Sequence, residues 1–436
     1  MSRPRFLLAA LLVFFVCSTA TAEPDLRIHG SNTVGDELLP ALLKTWLNKQ
    51  GYREVTTRQD GAGSVLTGIN AAGKGVEVEV QALGSSSAFT ALDRGATDIG
   101  MASRRIKEQE VERLKRLGRC DTAACEYVIA LDGIAVIVHP DNPLHQLKRE
   151  TIQRIFSGEV SDWSEVGGRG GAIKVYALDN NSGTYDTFRS LVLGKSSLVS
   201  NARRDASHSA ISSMVARDAN AIGFVGLPFV NDSKALSVSD GDSYPVTPSS
   251  FSVGTEDYLL ARRLYFYLPE ASATPMAREF VEFALSDEGQ KVAELIGFVS
   301  QEVMAARVEL REDVPQEYRQ LTEGAERLSL NFRFRAGTTE LDNKAKRDVQ
   351  RLKAFLQRPE NRGRELMLFG FADSNESMPI VSLQLSTDRA DNVADLLVAQ
   401  GLRPGKVRGY GSTVAVGSNS TPTGQAKNRR VEIWLR

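Results

Sequence analysis

The segment IFSGEVSDWSEVGG, residues 155–168, is followed by Ser182-Gly183-Thr184 at the predicted start of a helix. A hydroxyl, a glycine and a second hydroxyl at a helix N-terminus combine free backbone N–H groups with two side-chain donors. These are the donors that an oxyanion needs when it leaves water. Ser and Thr are also favoured as ordinary helix caps. The spacing alone therefore leaves an anion site and a plain cap open as alternatives.

Short apolar strands alternate with helical patterns on both sides of this segment, which predicts an α/β fold with largely parallel sheets. Three turns rich in hydroxyl groups each join a strand to a helix, at residues 30–33, 82–87 and 180–184. Such turns are typical of a cleft at the carboxyl ends of strands, where helix dipoles point at one anion. The apolar run 132–139 is predicted to be a buried strand that crosses between two lobes.

The chain has 436 residues, of which 42% are hydrophobic, so two or three folded units are expected. Residues 1–22 have the pattern of a secretory signal, with Arg3 and Arg5 before an apolar run and a small-residue cleavage site. That run has about half the length of a membrane span, so no span is expected after signal removal. Without those two arginines, 51 basic residues remain against 54 acidic ones, a net charge of −3. This balance favours no nucleic-acid partner.

Two cysteines, Cys120 and Cys125, remain after signal removal. In an oxidising compartment such a close pair predicts a disulfide, with a metal-binding pair as the alternative. The four histidines show no ligand spacing with these cysteines. We therefore expect neither a metal site nor a cofactor.

The first two-thirds of the chain carry five motifs in a fixed order: GSNTV at 30–34, DIG at 98–100 with Ser103-Arg104, DGIAVIV at 132–138, the segment 155–168, and SGT at 182–184. Together they resemble the PstS-like phosphate-binding proteins of ABC transporters, over about residues 24–300. The resemblance implies a two-lobed type II periplasmic binding protein fold, a phosphate or related oxyanion ligand, and an ABC permease as a possible partner.

Carried over by motif, the anion contacts of that family fall on seven residues: Thr33, Val34, Ser85, Ser103, Ser182, Gly183 and Thr184. Two positions depart from the family pattern. Ser103 stands where the family has an aspartate that accepts the proton of hydrogen phosphate, and Leu178 stands where it has an arginine. Arg104 or Arg105 is predicted to supply the missing cation, although both are also acceptable as ordinary surface arginines.

A charged, proline-broken connector follows at residues 306–326. Beyond it the pattern predicts a small α+β unit that begins with a strand at 328–334, one face of which is wet. Helices at 343–356 and 385–400 and strands at 365–370, 407–410 and 431–434 complete this unit.

Five motifs of this unit resemble an OmpA-like peptidoglycan-binding domain: NFRF at 331–334, GFAD at 370–373, LSTDRA at 385–390, GYG at 409–411 and NRRVE at 428–432. The resemblance implies that Asp373 and Arg389 clamp the diaminopimelate of a peptide stem. A carboxylate suits the ammonium group of that ligand, and a guanidinium suits its carboxylate. A salt bridge between Asp373 and Arg389 within the domain is the alternative.

The sequence thus predicts a signal peptide at 1–22, an oxyanion-binding unit at 23–305, a connector at 306–326 and an OmpA-like unit at 327–436. The leading hypothesis is a periplasmic phosphate receptor, not an enzyme, that is anchored noncovalently to peptidoglycan. An envelope structural or adhesion protein with a vestigial anion cleft is the second hypothesis. A phosphoester hydrolase with Ser182 as its nucleophile is the third, and the absence of a nearby histidine or lysine in the sequence disfavours it.

Overall fold

The computed structural model describes residues 23–60, 63–180, 182–376 and 378–436, without the side chain of Glu37. The predicted signal peptide, 1–22, lies outside these residues. The strands of the N-terminal unit are β1 Leu26–Gly30, β2 Tyr52–Asp60, β3 Gly63–Asn70, β4 Gly75–Ala82, β5 Ile99–Ala102, β6 Glu126–Val138, β7 Gln146–Lys148, β8 Lys174–Leu178, β9 Arg203–Asp205, β10 Ala221–Gly226, β11 Lys234–Ala235, β12 Ser237–Ser239 and β13 Ala261–Tyr267. Its helices are α1 Leu39–Lys49, α2 Ser85–Arg94, α3 Glu108–Leu114, α4 Arg149–Ser157, α5 Gly183–Phe188, α6 His208–Ala216, α7 Ser250–Gly254, α8 Pro275–Leu285 and α9 Asp287–Leu295.

Ten of these strands form one curled sheet in the order β2-β3-β4-β1-β5-β13-β6-β10-β8-β9, with β11 also paired to β6. The long strand β6 joins the two halves: its first part pairs with β13 and its last five residues pair with β10. One apolar core surrounds α1 and β1, and another surrounds β8 and β10. This arrangement confirms the predicted two-lobed α/β fold and the crossing strand. The sheets are less parallel than predicted, because β2, β3, β6 and β13 pair antiparallel.

The first turn sits at a crowded strand end. β1 lies between β4 and β5 and runs parallel to both, so the three carboxyl ends meet at one edge. Gly30 ends β1 with φ +143°, and a Cβ there would lie 1.9 Å from the carbonyl oxygen of Met101. Only glycine fits such a close approach. The residues that follow these ends, Thr33, Ser85 and Ser103, are therefore held on the same edge of the sheet.

The C-terminal part contains β14 Ala305–Ala306, β15 Glu326–Arg333, β16 Leu366–Phe371, β17 Lys406–Gly409 and β18 Arg430–Leu435, with helices α10 Gln316–Thr322, α11 Ala345–Gln357, α12 Pro379–Ala399 and α13 Pro422–Asn428. Its sheet has the order β14-β15-β18-β16-β17. Residues of α11 and α12 cover one face, and α10 of the predicted connector packs Tyr318 among the aromatic rings of the other. No helix among the described residues is long and apolar enough to span a membrane.

The prediction that one face of β15 is exposed to solvent is wrong. The polar residues of that face are all buried, with at most 9% exposure: Arg327, Ser329, Asn331 and Arg333. They lie against residues 254–258 of the N-terminal unit, where Asp257 accepts hydrogen bonds from Asn331 and Arg333. An alternating pattern distinguishes apolar from polar neighbours, but it does not distinguish water from a charged protein surface.

This buried contact predicts acid sensitivity. Burial opposes ionisation of Asp257 and Glu256, but nearby cationic groups, Arg327 for the first and Arg263 for the second, lower the pKa of each to about 2. A depressed carboxyl pKa contributes stability that is present above the unfolded pKa of about 4 and is lost as the pH falls toward about 2. Urea unfolding at pH 7, 4 and 2.5 should show a loss on the order of 2 kcal/mol per group. Asp257→Asn should reduce this pH dependence, and an unchanged profile would contradict the assignment.

Candidate functional site

The first and third predicted turns meet between the lobes. The hydroxyl of Thr33 donates a 3.0 Å hydrogen bond to the carbonyl oxygen of Gly183. A Cβ on Gly183 would lie 2.3 Å from the Cα of Thr33. Glycine at 183 is therefore what allows the two backbones to approach this closely.

The third turn is also a helix cap. Ser182 is the N-cap of α5, and its hydroxyl accepts a hydrogen bond from the N–H of Tyr185 at 3.4 Å. Ser182, Gly183 and Thr184 line a cavity of about 380 Å³ together with Thr33. Both readings of the triplet are therefore compatible with the geometry. Val34, also among the predicted contacts, is fully buried, so neither its side chain nor its backbone is exposed to this cavity.

The second pair of predicted residues lies beside this cavity. The hydroxyls of Ser85 and Ser103 are 3.2 Å apart, and the N–H of Ser103 donates to the oxygen of Ser85 at 3.0 Å. Ser103 lines a neighbouring cavity of about 650 Å³, which Arg104 and Arg262 also line. The predicted anion residues thus form two groups rather than one.

Arg262 lies at the contact between the lobes. It was not among the residues predicted from the sequence. Its Nη2 atom donates to the hydroxyl of Thr33 at 2.5 Å and to the carbonyl of Gly183 at 3.2 Å. Its Nε atom donates to Asp132 at 3.3 Å. Burial lowers the pKa of Arg262, and the charge of Asp132 acts in the opposite direction. The stretch ARRLYFY around it reads as an ordinary strand, so no local signal marks this arginine.

The two arginines predicted to supply the missing cation are already held by carboxylates. Both terminal nitrogens of Arg104 donate to Glu110, at 2.8 and 2.7 Å, and its guanidinium lies over the ring of Phe89. Arg105 donates to Glu126 at 3.1 Å. Each would have to leave its carboxylate to reach an anion.

Acidic groups and a histidine share the smaller cavity. Asp36, Asp179 and His208 line it beside Ser182. Nδ1 of His208 accepts a hydrogen bond from the N–H of Gly226 at 2.9 Å, and burial lowers the pKa of the ring. The neutral ring therefore carries its proton on Nε2.

The predicted disulfide between Cys120 and Cys125 is confirmed. In the described part of the chain, no group of three or more histidine, cysteine, aspartate or glutamate side chains is arranged to hold a metal ion.

In the C-terminal unit, both predicted ligand residues have partners within the domain. Arg389 is fully buried, and Glu376 accepts from its Nη1 and Nη2 atoms at 2.8 and 2.5 Å. Burial opposes ionisation of Glu376, but Arg389 lowers its pKa overall. Asp373 accepts from Arg429 at 2.8 Å. The predicted alternative, a direct Asp373–Arg389 salt bridge, is replaced by two separate pairs.

Both parts of the chain match known families. The family model described as PBP superfamily domain matches residues 53–288, and the OmpA family model matches residues 333–429. The phosphate-binding protein PstS of Staphylococcus saprophyticus is 29% identical over 292 residues, which cover 63% of this chain and 89% of the relative. PstS of Staphylococcus epidermidis is 30% identical over 226 residues, which cover 50% of this chain and 68% of the relative.

The crystal structure of a possible phosphate binding protein from Planctomyces limnophilus has the same fold. It is 23% identical, with a TM-score of 0.53, and the match covers 69% of this chain and 96% of that one.

Proposed function

The chain belongs to the PBP superfamily and carries an OmpA family domain at residues 333–429. We propose that it is a periplasmic receptor for phosphate. The observation that carries the proposal is the meeting of Thr33, Gly183 and Arg262 between the lobes. The two relatives from Staphylococcus are phosphate-binding proteins. We propose an ABC permease as the partner, as the resemblance to that family implies.

Charge explains how this site binds phosphate without the arginine that Leu178 replaces. Arg262, in β13, brings one guanidinium to the turn: its Nη2 atom contacts Thr33 there, while its Nε atom stays paired with Asp132. Hydrogen bonds to a charged group are about twice as strong as neutral ones, at roughly 1.5–3 kcal/mol each. The backbone N–H groups at the start of α5 and the hydroxyl of Thr184 add neutral donors, whereas the hydroxyl proton of Thr33 is already donated to the carbonyl oxygen of Gly183. The proposed phosphate contacts are thus Thr33, Ser182, Gly183, Thr184 and Arg262. Ser85, Ser103 and Arg104 lie at or beside the neighbouring cavity and are not among these contacts.

Asp179 gives the site a means of selecting hydrogen phosphate. A carboxylate in an anion cavity repels a fully ionised guest, but it accepts a hydrogen bond from a guest that carries a proton. We propose that Asp179 takes the role that Ser103 cannot fill. Sulfate, which carries no proton at neutral pH, should then bind much more weakly than phosphate.

Calorimetric titration of the mature chain tests this function. Phosphate should bind, and Arg262→Gln should weaken binding at least about thirtyfold, the equivalent of one charged hydrogen bond of ~2 kcal/mol. Arg204→Gln is the matched control, since Arg204 contacts the carbonyl of Leu178 and the ring of Tyr185 instead. Thermal unfolding checks that each variant is folded. No heat with phosphate, arsenate or phosphonate would favour the alternative of an envelope protein with a vestigial cleft.

Catalysis by Ser182 is not part of the proposal. His208 is the histidine that the sequence did not place near Ser182, but its Nδ1 atom is engaged by the backbone of Gly226. The remaining ring nitrogen of the neutral form is protonated and cannot accept the proton of a serine.

We further propose that the OmpA family domain holds the receptor on peptidoglycan, with Asp373 and Arg389 as the ligand residues. Glu376 occupies Arg389 in the way that a carboxylate of diaminopimelate would. The stem must therefore displace this internal carboxylate.

Retention of the full chain on insoluble peptidoglycan tests this second proposal. Glu376→Gln should strengthen retention severalfold, because the neutral amide competes less well for the guanidinium. Asp373→Asn should weaken it. If Glu376→Gln weakens retention as much as Asp373→Asn does, Glu376 supports the site rather than competing with the ligand.

A further inference from the structure

The C-terminal domain contacts both lobes of the receptor. On the first lobe, the amide of Asn343 donates to Glu126 and to the carbonyl of Asp121, both at 2.8 Å, and Arg347 lies over the ring of Tyr127. Burial lowers the pKa of Arg347. Contacts of this kind are expected at a packed interface rather than beside a flexible tether.

The second lobe is held at a different place. The hydroxyl of Ser418 donates to Asp242 and that of Thr421 donates to Asp240, both at 2.7 Å. Both hydroxyls belong to the C-terminal domain, which contacts the first lobe through Asn343 and Arg347. A change in the angle between the lobes would therefore have to break contacts on one side or the other.

A buried cluster of charges connects the domain to residues 257 and 258, close to the hinge, by which we mean the crossing strand β6 and its partner β13. Asp257 accepts from Arg327 at 2.8 Å and from Arg333 at 3.2 Å, and all three side chains are buried. Lys427 donates to the carbonyl of Tyr258 at 2.9 Å. Removing one partner of such a cluster leaves a buried charge uncompensated, which is strongly unfavourable.

The hinge strand also links the two candidate sites. Arg263 follows Arg262 in β13, and its Nη1 atom contacts Asp342 at 2.7 Å. The N–H of Asp342 donates to the carbonyl of Arg333, which closes the loop of residues 334–341. Within that loop, the carbonyl of Thr338 accepts from Arg389 at 3.0 Å. Continuous contacts thus connect Arg262 at the anion turn to Arg389 of the proposed peptidoglycan site, which we call the wall site.

We infer that the C-terminal domain is a brace across the hinge, so that lobe movement at the anion site and ligand binding at the wall site are coupled. The ligands named here rest on the proposed function, whereas the brace itself rests on the contacts. Coupling between sites is reciprocal for equilibrium binding. A bound peptide stem should therefore change the affinity for phosphate by the same factor by which phosphate changes the affinity for the stem.

The brace is tested first without any ligand, by hydrogen exchange of the full mature chain. The double substitution Asn343→Ala, Arg347→Ala removes the contacts with the first lobe. The backbone amides of β6 and β13 should then exchange at least about fivefold faster, as expected for a local opening. Lys346→Ala on the same helix is the matched control, because Lys346 is exposed. Unchanged exchange in the folded double variant would overturn the brace.

Coupling is tested by titrating phosphate with and without a soluble disaccharide peptide that carries diaminopimelate. The wild type should show a change in affinity of about fivefold or more, the lower end of typical coupling. Asp342→Asn should remove the change while phosphate still binds, and the Asn343→Ala, Arg347→Ala variant serves if Asp342→Asn does not fold. Equal phosphate affinities in the wild type with and without the peptide would overturn the coupling. If phosphate does not bind at all, the proposed function fails, and hydrogen exchange still decides on the brace.

Discussion

Gly183→Ala is expected to lower the affinity for phosphate by about a hundredfold, which corresponds to ~2.7 kcal/mol. The added Cβ would lie 2.3 Å from the Cα and 2.6 Å from the backbone nitrogen of Thr33. Since backbone atoms cannot rotate away, the two lobes must separate at this point. Separation removes Thr33 and Arg262 from the turn at the start of α5. Calorimetric titration with phosphate measures the effect.

Gly75→Ala is the matched control for this change. Nothing lies within 4 Å of a Cβ at Gly75, and its backbone does not need a positive φ. Its phosphate affinity should equal that of the wild type. Near-normal affinity of Gly183→Ala would contradict the proposed site, because the contact between Thr33 and Gly183 would then be irrelevant to the ligand.

Asp257→Ala is expected to lower the free energy of unfolding of the full chain by about 3–5 kcal/mol, as for other broken buried ion pairs. The carboxylate is the shared partner of Arg327 and Arg333, and both arginines are buried. Its removal takes one carboxylate from each guanidinium, although Arg327 keeps its contact with Glu432. Urea unfolding, followed by tryptophan fluorescence, measures the loss. Trp434 belongs to the C-terminal sheet, and Trp46 and Trp163 belong to the lobes.

Asp313→Ala controls for the general loss of an acidic group at the same interface. Asp313 pairs with Arg311 and accepts from Tyr244, but its side chain is 49% exposed. Exposed pairs contribute about 0–1 kcal/mol, so a small change is expected. If Asp257→Ala were as mild as this control, the charge cluster would not hold the two units together.

Much of the N-terminal fold could be predicted, because its information is local. The apolar positions of the first helix recur at helical spacing, and all of those predicted to be buried, from Val34 to Leu47, are buried. The last part of the crossing strand β6, residues 134–138, is a continuous apolar run. Strand order and the antiparallel edge hairpin are set by contacts between distant segments, which no local pattern encodes.

The candidate site divides in the same way. The turns at Thr33 and Ser182 are marked by residue types that favour helix starts, and they do meet. Arg262 reaches them from a strand 229 residues away from Thr33, and nothing in its neighbours marks it. The roles of Glu110 and Glu376 as partners of Arg104 and Arg389 were missed for a similar reason. From sequence alone, charged residues are predicted to lie at the surface, because the pattern does not show which partner the fold places against them.

The C-terminal strand β15 shows how a correct element can carry a wrong environment. The alternation of apolar and polar residues from Leu328 to Arg333 predicted the strand, and the polar side was assigned to water. That side instead meets the acidic segment at Asp257. The pattern contains no information about a second domain, so only the assembled chain could reveal the contact.

A crystal structure of the mature chain grown with phosphate is the decisive test of the proposed site. We expect tetrahedral density in the cavity beside the contact of Thr33, Gly183 and Arg262, within hydrogen-bond distance of the start of α5 and of the guanidinium. Density for phosphate at another place would contradict the proposed site. So would the absence of density beside these residues in crystals of a chain that binds phosphate in solution.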